Sequence, residues 1–267
     1  MAIISDYHMH TYLCGHADGR PQEYAQQACD RGLKEIGFAD HAPLVTHREP
    51  SITMDFDQLP EYKRMVEEVQ SEFKNRLTIK LAIEADFIPG YEEKTREILD
   101  MFPYDYVIGS VHYLNGWQFD NPVFMSEWDT LDVNEVYIRY HEHLRMSAES
   151  RLFDIMAHVD LVKKFGHRTS SDLSDEIKKT AEVFKQTGVA IEINTSGLRK
   201  PAKEIYPSLE DLKVYSDIGV AITFGSDAHG PEDVGRDFDK ALQLARAAGY
   251  KEYVLFKHRK IEKTMGL

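Results

Sequence analysis

The sequence predicts an α/β fold in which about seven strand–helix units close into a (β/α) barrel. Apolar, strand-like segments alternate with amphipathic, helix-like segments along the chain, which is typical of a parallel sheet. Histidines and acidic residues recur where the strand-like segments end. A barrel brings all of these ends to one mouth, whereas an open doubly wound sheet keeps its outer strand ends apart. The recurrence therefore favours the barrel.

The strand candidates are short runs rich in Ile, Val, Phe and Tyr that are bounded by turn residues. An eighth apolar segment, 253–256, has no acid or histidine at its end. We expect it either to complete the sheet or to close the bottom of the barrel. The seven main candidates are 3–8, 35–40, 79–85, 105–111, 153–158, 189–194 and 220–226.

Helices are expected between the strands, with recognisable starts and stops. Pro21 suits a first helical turn, and Asp132 with Glu135 resembles a capping box. Gly188 is placed to end a helix. No Pro-, Gly- or Ser-rich linker divides the chain, so we expect a single domain over 1–267. The predicted helices are 21–32, 58–75, 133–150, 173–187, 208–219 and 232–248.

Composition limits the classes of function. The net charge of -13 argues against a nucleic-acid partner, although bound cations could still attract a small anionic substrate. Two cysteines, Cys14 and Cys29, predict no disulfide framework and a reducing compartment. The N-terminus lacks a signal-peptide pattern, and no apolar run approaches the ~18 residues of a membrane span. We expect a cytoplasmic protein that does not contact membranes, and its oligomeric state stays open.

Nine residues at strand ends, or in the loops just after them, are candidate metal ligands. Mixed imidazole and carboxylate ligands suit Zn, Fe or Mn better than Ca or Mg. Ligands in this number predict two or three divalent ions and a metal-dependent hydrolase. The candidates are His8, His10, His16, His41, Glu84, His112, His158, Asp227 and His229.

Spacing decides which histidine pairs can share an ion. His8 and His10 lie two residues apart in a predicted strand, so both side chains point to the same side. His141 and His143 have the same spacing inside a predicted helix, where residues i and i+2 diverge by about 200°. We expect the helical pair to belong to ordinary helix surface or packing.

Three of the candidates have competing interpretations. Glu84 lies inside an apolar run, so it either bridges two ions or pairs with Lys80 or an arginine. Asp227, after two small residues, is either a ligand or the cap of a helix. His16 is the weakest candidate on local grounds, and Asp18 is an alternative or supporting ligand.

Several motifs resemble the polymerase and histidinol phosphatase (PHP) family, and most closely its stand-alone histidinol-phosphate phosphatases. They span residues 6–235 in consistent order, and their combination is specific although each piece alone is not. The resemblance implies a distorted seven-stranded (β/α) barrel, TIM-like in form, with a trinuclear metal centre. The motifs are DYHMHT, GHADG, IGFADHAP, IEADF, GSVHYL, DIMAHVDLVKKFG, IEINTSGLRK and TFGSDAHGPEDVG.

The resemblance also implies how the ligands divide. One ion would be held by His8, His10, Glu84 and Asp227. A second would be held by Glu84, His112 and His158, and the third by His16, His41 and His229. The implied reaction is hydrolysis of L-histidinol phosphate to L-histidinol and phosphate, in histidine biosynthesis, by a hydroxide that bridges two metals.

Other residues are candidates for binding the phosphate and the organic part of the substrate. Arg199 is the first choice for the phosphate because a guanidinium binds phosphate oxygens bidentately, and Arg20 and Lys163 are weaker choices. In the long segment 113–131, Trp117 and Phe119 either shield the substrate or form a small hydrophobic flap.

Three points stay open at the level of sequence. Asp18, His229 or metal-bound water could protonate the leaving group. Glu84 has a separate catalytic role as the carboxylate that bridges two ions. The alternative activity is that of a PHP phosphoesterase acting on nucleotides or oligonucleotide ends. A non-catalytic metal-binding scaffold and an amidohydrolase-type barrel are more distant alternatives.

Overall fold

A computed structural model describes residues 3–267. Met1 and Ala2, the first two residues of the expected 1–267 domain, lie outside the described residues. Eleven strands are found in this part of the chain. They are β1 (Ser5–Asp6), β2 (Glu35–Phe38), β3 (Thr78–Asp86), β4 (Tyr106–Ser110), β5 (Tyr113–Leu114), β6 (Trp117–Gln118), β7 (Ile155–Met156), β8 (Ala190–Asn194), β9 (Ile222–Gly225), β10 (Glu252–Lys257) and β11 (Lys260–Gly266).

Seven of these strands form one parallel sheet in the order β1-β2-β3-β4-β7-β8-β9. Main-chain hydrogen bonds join its two outer strands: the amide of Tyr7 donates to Phe224 O at 3.0 Å, and that of His10 donates to Ala228 O at 2.9 Å. The sheet is therefore a nearly closed barrel, as the sequence predicts.

Helices cover the outside of the barrel. Six of them confirm the predicted helices within a few residues, except that the last begins at Phe238 rather than at 232. Glu92–Leu99 is an additional helix that the sequence analysis did not identify. The helices are α1 (Pro21–Asp30), α2 (Leu59–Phe73), α3 (Glu92–Leu99), α4 (Val133–Glu149), α5 (Ser174–Thr187), α6 (Leu209–Ile218) and α7 (Phe238–Ala247).

One hydrophobic core joins helices and strands. The apolar stripe of α2, with Tyr62, Val66 and Val69 fully buried, packs against β3. Burial of such a stripe is the main reason why an amphipathic segment becomes a helix here. Among the described residues, no helix combines the length and apolar character that crossing a bilayer requires.

The strand candidate 253–256 lies at the bottom of the barrel and not in its sheet. It is part of β10, which pairs antiparallel with β11. The amide of Phe256 donates to the Tyr7 hydroxyl at 3.0 Å, and the amide of Ile4 donates to the Tyr253 hydroxyl at 3.2 Å. The hairpin therefore covers the amino-terminal end of the barrel, opposite the ends of the strands that carry the candidate ligands.

The segment 113–131, called the flap below, begins as the hairpin of β5 and β6 and continues as a 3₁₀ turn over Pro122–Thr130. The Trp128 ring stacks on His167 with centroids 4.4 Å apart, and its Nε1 donates to Phe119 O at 3.0 Å. Asp120 accepts a hydrogen bond from Lys164 Nζ at 2.9 Å. These contacts hold the flap against the loop that follows β7.

Candidate metal centre

The centre begins with the extended segment after β1. His8 and His10 are both fully buried, with ring centroids 5.0 Å apart. Main-chain bonds on either side hold the segment next to Ala228: the amide of Ala228 donates to His8 O at 3.2 Å, and that of His10 donates to Ala228 O at 2.9 Å. The two imidazoles therefore face the same space, as residues i and i+2 of a strand should.

Glu84 lies in the middle of the cluster. Its Oε2 is 3.2 Å from His8 Nε2 and 2.9 Å from His41 Nδ1, and its Oε1 is 3.3 Å from His158 Nε2. The alternative partner, Lys80, lies instead near two other glutamates at distances of 3.6 and 3.8 Å. The geometry thus favours a shared carboxylate at the centre over a pair with Lys80.

All nine candidate ligands lie around this point and form compact groups. Ligand atoms of one group fall within 4.8 Å of one another, which is close enough to share an ion. Four groups contain two or more of the nine candidates: His8 with His10 and Asp227; Glu84 with His112 and His158; His10 with His41 and His229; and Cys14 with His16 and His229. A fifth group joins His10 to Cys14 and Asp40.

The ligand set that the family resemblance implies for a third ion, His16, His41 and His229, is the least compact of the three. The rings of His16 and His229 are 4.6 Å apart, those of His16 and His41 are 5.4 Å apart, and those of His41 and His229 are 6.2 Å apart. The more compact groups bring His10 or Cys14 toward these residues. The division of ligands among the ions that the family resemblance implies therefore stays a prediction.

Unpaired atoms indicate that the donor set fits cations. His8 Nε2 and Glu84 Oε2 are buried, and although they lie 3.2 Å apart, neither atom makes a hydrogen bond of suitable geometry. His16 Nε2 lies 2.9 Å from His229 Nε2, while each Nδ1 lies 3.1 Å from a backbone carbonyl oxygen. A carbonyl oxygen can only accept, so each Nδ1 must carry the ring proton to make this hydrogen bond. The unprotonated Nε2 atoms of His16 and His229 then direct their lone pairs at each other. A shared cation removes that repulsion, and imidazole nitrogen suits a divalent transition metal.

Three carboxylates stand behind the histidines, two of them buried and the third, Asp86, partly exposed, and the sequence analysis did not identify them. Each accepts a hydrogen bond from an imidazole Nδ1, which fixes the ring and leaves Nε2 directed toward the centre. The sequence did contain an indication of these carboxylates, because each acid lies one or two residues from a candidate ligand or in an apolar strand with its side chain facing inward. The pairs are His8 with Glu192 at 2.8 Å, His10 with Asp40 at 3.3 Å, and His112 with Asp86 at 2.8 Å.

The charges in the cluster support one another. Burial alone raises the pKa of Glu84, but His41, His8 and His158 reverse this effect and hold that pKa well below its ordinary value. Burial lowers the pKa of His112, yet Asp86 and Asp120 bring it to about 10. Strongly perturbed groups gathered in one cleft are a physical indication of a functional site.

The backbone is also unusual at two of the candidate ligands. His158 has φ of 26° and Asp227 has φ of 52°, in the region that non-glycine residues rarely adopt. Surrounding contacts must hold such conformations, since each costs about 1–3 kcal/mol. Both residues follow strands whose carboxyl ends meet at the centre, and there the strain is consistent with the positioning of ligands.

A cavity of about 540 Å³ opens above the cluster. Candidate ligands form its floor, and two lysines, Lys164 and Lys200, contribute to its wall. The flap supplies another part of the wall through Gln118, Asp120, Asn121, Pro122 and Val123. The site is therefore a pocket with metal-binding groups at the bottom and both positive and negative side chains around it.

The structure gives three of the predicted substrate-binding residues other surroundings. Lys163 is buried, with its Nζ 2.5 Å from Asp160 and 2.8 Å from Glu204. The Arg20 side chain is 78% exposed beside α1. Trp117 packs against Trp128 within the flap, at 5.1 Å between centroids. These three residues are absent from the cavity wall within the described part of the chain, so their binding role stays a prediction.

Arg199 and Asp18 lie beside the cavity. Arg199 Nη2 donates to Ser226 O at 2.6 Å, and its Nε lies 3.2 Å from Asp233, so it supports the loop that carries Asp227. The amide of Asp18 donates to His229 O at 2.8 Å, while Asp18 itself is exposed. The structure thus brings all nine candidate ligands together, but it places neither Arg199 nor Asp18 in the described cavity wall.

Comparisons with known proteins agree with this geometry. The PHP domain family model matches residues 6–196. The chain is 42% identical over 98% of its length to all of the probable histidinol-phosphatase of Deinococcus radiodurans. It is 29% identical over 89% of its length to 98% of the histidinol-phosphatase of Bacillus subtilis.

Among solved structures, histidinol phosphate phosphatase of Lactococcus lactis, crystallised with zinc, L-histidinol and phosphate, matches with a TM-score of 0.83. The identity is 24%, with 97% of this chain and 98% of that chain covered, and the likeness is one of fold. Barrel and ligand cluster together define the class: a (β/α) barrel with candidate metal ligands at the carboxyl ends of its strands. The chain belongs to the PHP domain family.

Proposed function

We propose that the protein is a metal-dependent phosphomonoesterase that hydrolyses L-histidinol phosphate to L-histidinol and phosphate. The observation that carries the proposal is the convergence of nine imidazole and carboxylate side chains below a cavity of about 540 Å³. The 42% identity to a probable histidinol-phosphatase over nearly the full chain supports the choice of substrate. The activity belongs to histidine biosynthesis.

The centre holds divalent transition metals, three in our proposal, with zinc preferred over iron or manganese. Compact ligand groups support the number, and the zinc in the Lactococcus lactis structure supports the identity. When bound, such ions supply Lewis acidity, which neutralises phosphate charge and makes water nucleophilic near neutral pH. His8, His10 and Asp227 hold one ion, Glu84 is shared, and the remaining histidines hold the others.

The chain's own residues position the phosphate. Lys200 lines the cavity, and burial lowers its pKa, while the nearby Asp227 carboxylate favours its charged form. Lys164 lines the same cavity. We assign phosphate binding to Lys200, supported by Lys164, in place of the more distant Arg20 and Lys163. Arg199 instead supports the loop of Asp227.

The proton for the leaving alkoxide has one candidate in the cavity wall, because His229 lines the cavity and Asp18 does not. Burial lowers the pKa of His229 well below its ordinary value, however, which makes it a poor acid near neutral pH. A water molecule in the cavity is the simpler source. The absence of a nucleic-acid partner and a cytoplasmic location stay predictions from composition.

The proposal is tested with purified, zinc-loaded protein and a panel of phosphate esters. L-histidinol phosphate is expected to release phosphate with kcat/KM at least about tenfold above that of mononucleotides or phosphorylated oligonucleotide ends. Release from nucleotides without release from L-histidinol phosphate would establish the alternative phosphoesterase activity. Metal uptake without turnover of any ester would indicate a binding scaffold.

A further inference from the structure

We propose that Asp120 binds the substrate's α-ammonium group, so that the pocket selects phosphate monoesters that carry an amine near the ester. The inference rests on the proposed phosphatase function and deepens it by naming the residue that recognises the organic part. The phosphate and the amine would be held at different places in one cavity: the phosphate by the centre and Lys200, and the amine by the flap.

The position of Asp120 is that of a recognition residue. Its exposure is 9%, and it lines the cavity between the flap and the loop after β7. One carboxylate oxygen, Oδ2, accepts a hydrogen bond from Lys164 at 2.9 Å. The other oxygen, Oδ1, is buried and has no hydrogen-bond partner. A buried carboxylate oxygen without a donor is costly, and an ammonium group supplies the missing donor.

Anchoring of the flap does not account for this oxygen. Lys164 engages only Oδ2, and the flap is already held by the stack of Trp128 on His167, 4.4 Å between centroids. A residue that served only as an anchor would have no need of a second, unpartnered oxygen beside the cavity. The free oxygen therefore points to a ligand.

Asp86 is the other carboxylate in the wall outside the candidate ligands, and it is less suited to the amine. Its Oδ1 already accepts a hydrogen bond from His112 Nδ1 at 2.8 Å. Substituting Asp86 would disturb a histidine of the metal centre and lower the turnover of every ester. Asp120 acts on His112 only through its charge and makes no hydrogen bond to it. Substituting Asp120 should therefore change the ratio of turnover between amine-bearing and amine-free esters, which substituting Asp86 should not, so the two residues are experimentally separable.

The charges in the wall also match the substrate. L-Histidinol phosphate has a phosphate dianion at one end and an ammonium group nearby. The cavity offers Lys200 and the metal centre to the first and Asp120 to the second. A nucleotide has no such ammonium group, so it would leave the Asp120 carboxylate without a partner in the complex.

The test compares L-histidinol phosphate with its des-amino analogue, imidazolylpropyl phosphate, in wild type, Asp120→Asn, Asp129→Asn and Lys164→Gln. Asp129 is an exposed acid of the same flap and gives a matched loss of charge. In wild type, kcat/KM should favour the amine-bearing ester. Asp120→Asn should reduce that preference about tenfold or more, mainly through KM, and Asp129→Asn should keep it.

Lys164→Gln breaks the same ion pair but leaves the carboxylate. Because Lys164 also supports phosphate binding, Lys164→Gln is expected to lower turnover of both esters, and the ratio between the two esters is the decisive readout. If Asp120 recognises the amine, Lys164→Gln keeps or increases the preference and Asp120→Asn reduces it, whereas a pure anchoring role leaves the preference unchanged in both variants. An unchanged preference in Asp120→Asn, or a wild type with no preference, overturns the inference. Failure of wild type to hydrolyse either ester overturns the proposed function instead.

Discussion

Glu192 Oε1 lies 2.8 Å from His8 Nδ1 across the barrel. Its other oxygen accepts hydrogen bonds from the backbone amide of His158, at 3.2 Å, and from Asn194 Nδ2, at 2.8 Å. One carboxylate thus orients a ring from β1 and the backbone after β7. Since His8 and His158 belong to different ligand groups, Glu192 links the two groups mechanically.

Glu192→Gln is therefore expected to weaken metal binding about 10–100-fold, because the amide turns a donor toward groups that need an acceptor. Competition with a chromophoric chelator measures the change in Kd. Glu182→Gln, an exposed glutamate on α5, is the matched control and should bind metal as wild type does. Equal metal affinity in both variants would remove Glu192 from this positioning role.

Glu84→Gln should remove activity and lower metal content, because the shared carboxylate is 2.9–3.3 Å from three imidazoles. Elemental analysis and phosphate release measure the two effects. Glu35→Gln is the control, a largely buried glutamate at the other end of the barrel that accepts a hydrogen bond from Tyr7. A Glu84→Gln protein with wild-type turnover would contradict the shared role.

His16→Gln and His229→Gln are each expected to lose about one metal equivalent and to retain the fold, because their Nε2 atoms face the same point 2.9 Å apart. The double variant should lose no more than either single variant. Metal content and circular dichroism are the measurements, with His47→Gln, an exposed histidine, as the control. Additive loss of two equivalents would show that the two residues serve different ions.

Lys200→Met and Arg199→Met should separate substrate binding from support of the metal loop. Lys200 lines the cavity, so its loss is expected to raise KM at unchanged metal content. Arg199 donates to Ser226 O at 2.6 Å, so its loss should lower metal affinity and stability. Steady-state kinetics measures KM and elemental analysis measures metal content in the two variants. The reverse pattern would return phosphate binding to Arg199.

Asp211→Asn should change how stability depends on pH. Burial, together with the nearby Asp160, raises the pKa of Asp211 to about 7 from its ordinary 3.8. The folded state therefore holds a proton that the unfolded state releases, so this group's contribution to stability falls as pH rises from about 4 to 7. Urea unfolding at pH 5 and pH 8 should show the variant gaining relative to wild type at pH 8 by about 1 kcal/mol or more. Equal differences at both pH values would contradict this.

The barrel and the convergence of the nine candidate ligands were predictable because parallel strands end at one rim. A histidine or acid at such an end, as at His8, Glu84 or Asp227, stands out against the apolar run before it. The supporting carboxylates carried a weaker signal. Glu192 and Asn194 share one face of β8, yet neither type of residue is unusual near a strand end.

The direction of individual loop side chains could not be predicted from the spacing of residues in the sequence. Arg199 ends a 3₁₀ turn and Lys200 follows it, so adjacent cations point to different surroundings. Only the second lines the cavity. Likewise, α3 has few apolar residues, and β11 is almost wholly exposed, so neither produces a clear hydrophobic pattern.

The candidate ligands come from the first strand of the ring, from the last, and from most of those between. β1 and β9 are otherwise joined by a few main-chain hydrogen bonds. Ions that bind His10 and Asp227 together would therefore act as a clasp across this seam, fastening the two ends of the sheet. Metal binding would then stabilise the tertiary structure as well as enable the reaction. Removal of the metal would loosen the barrel first at the contact between β1 and β9.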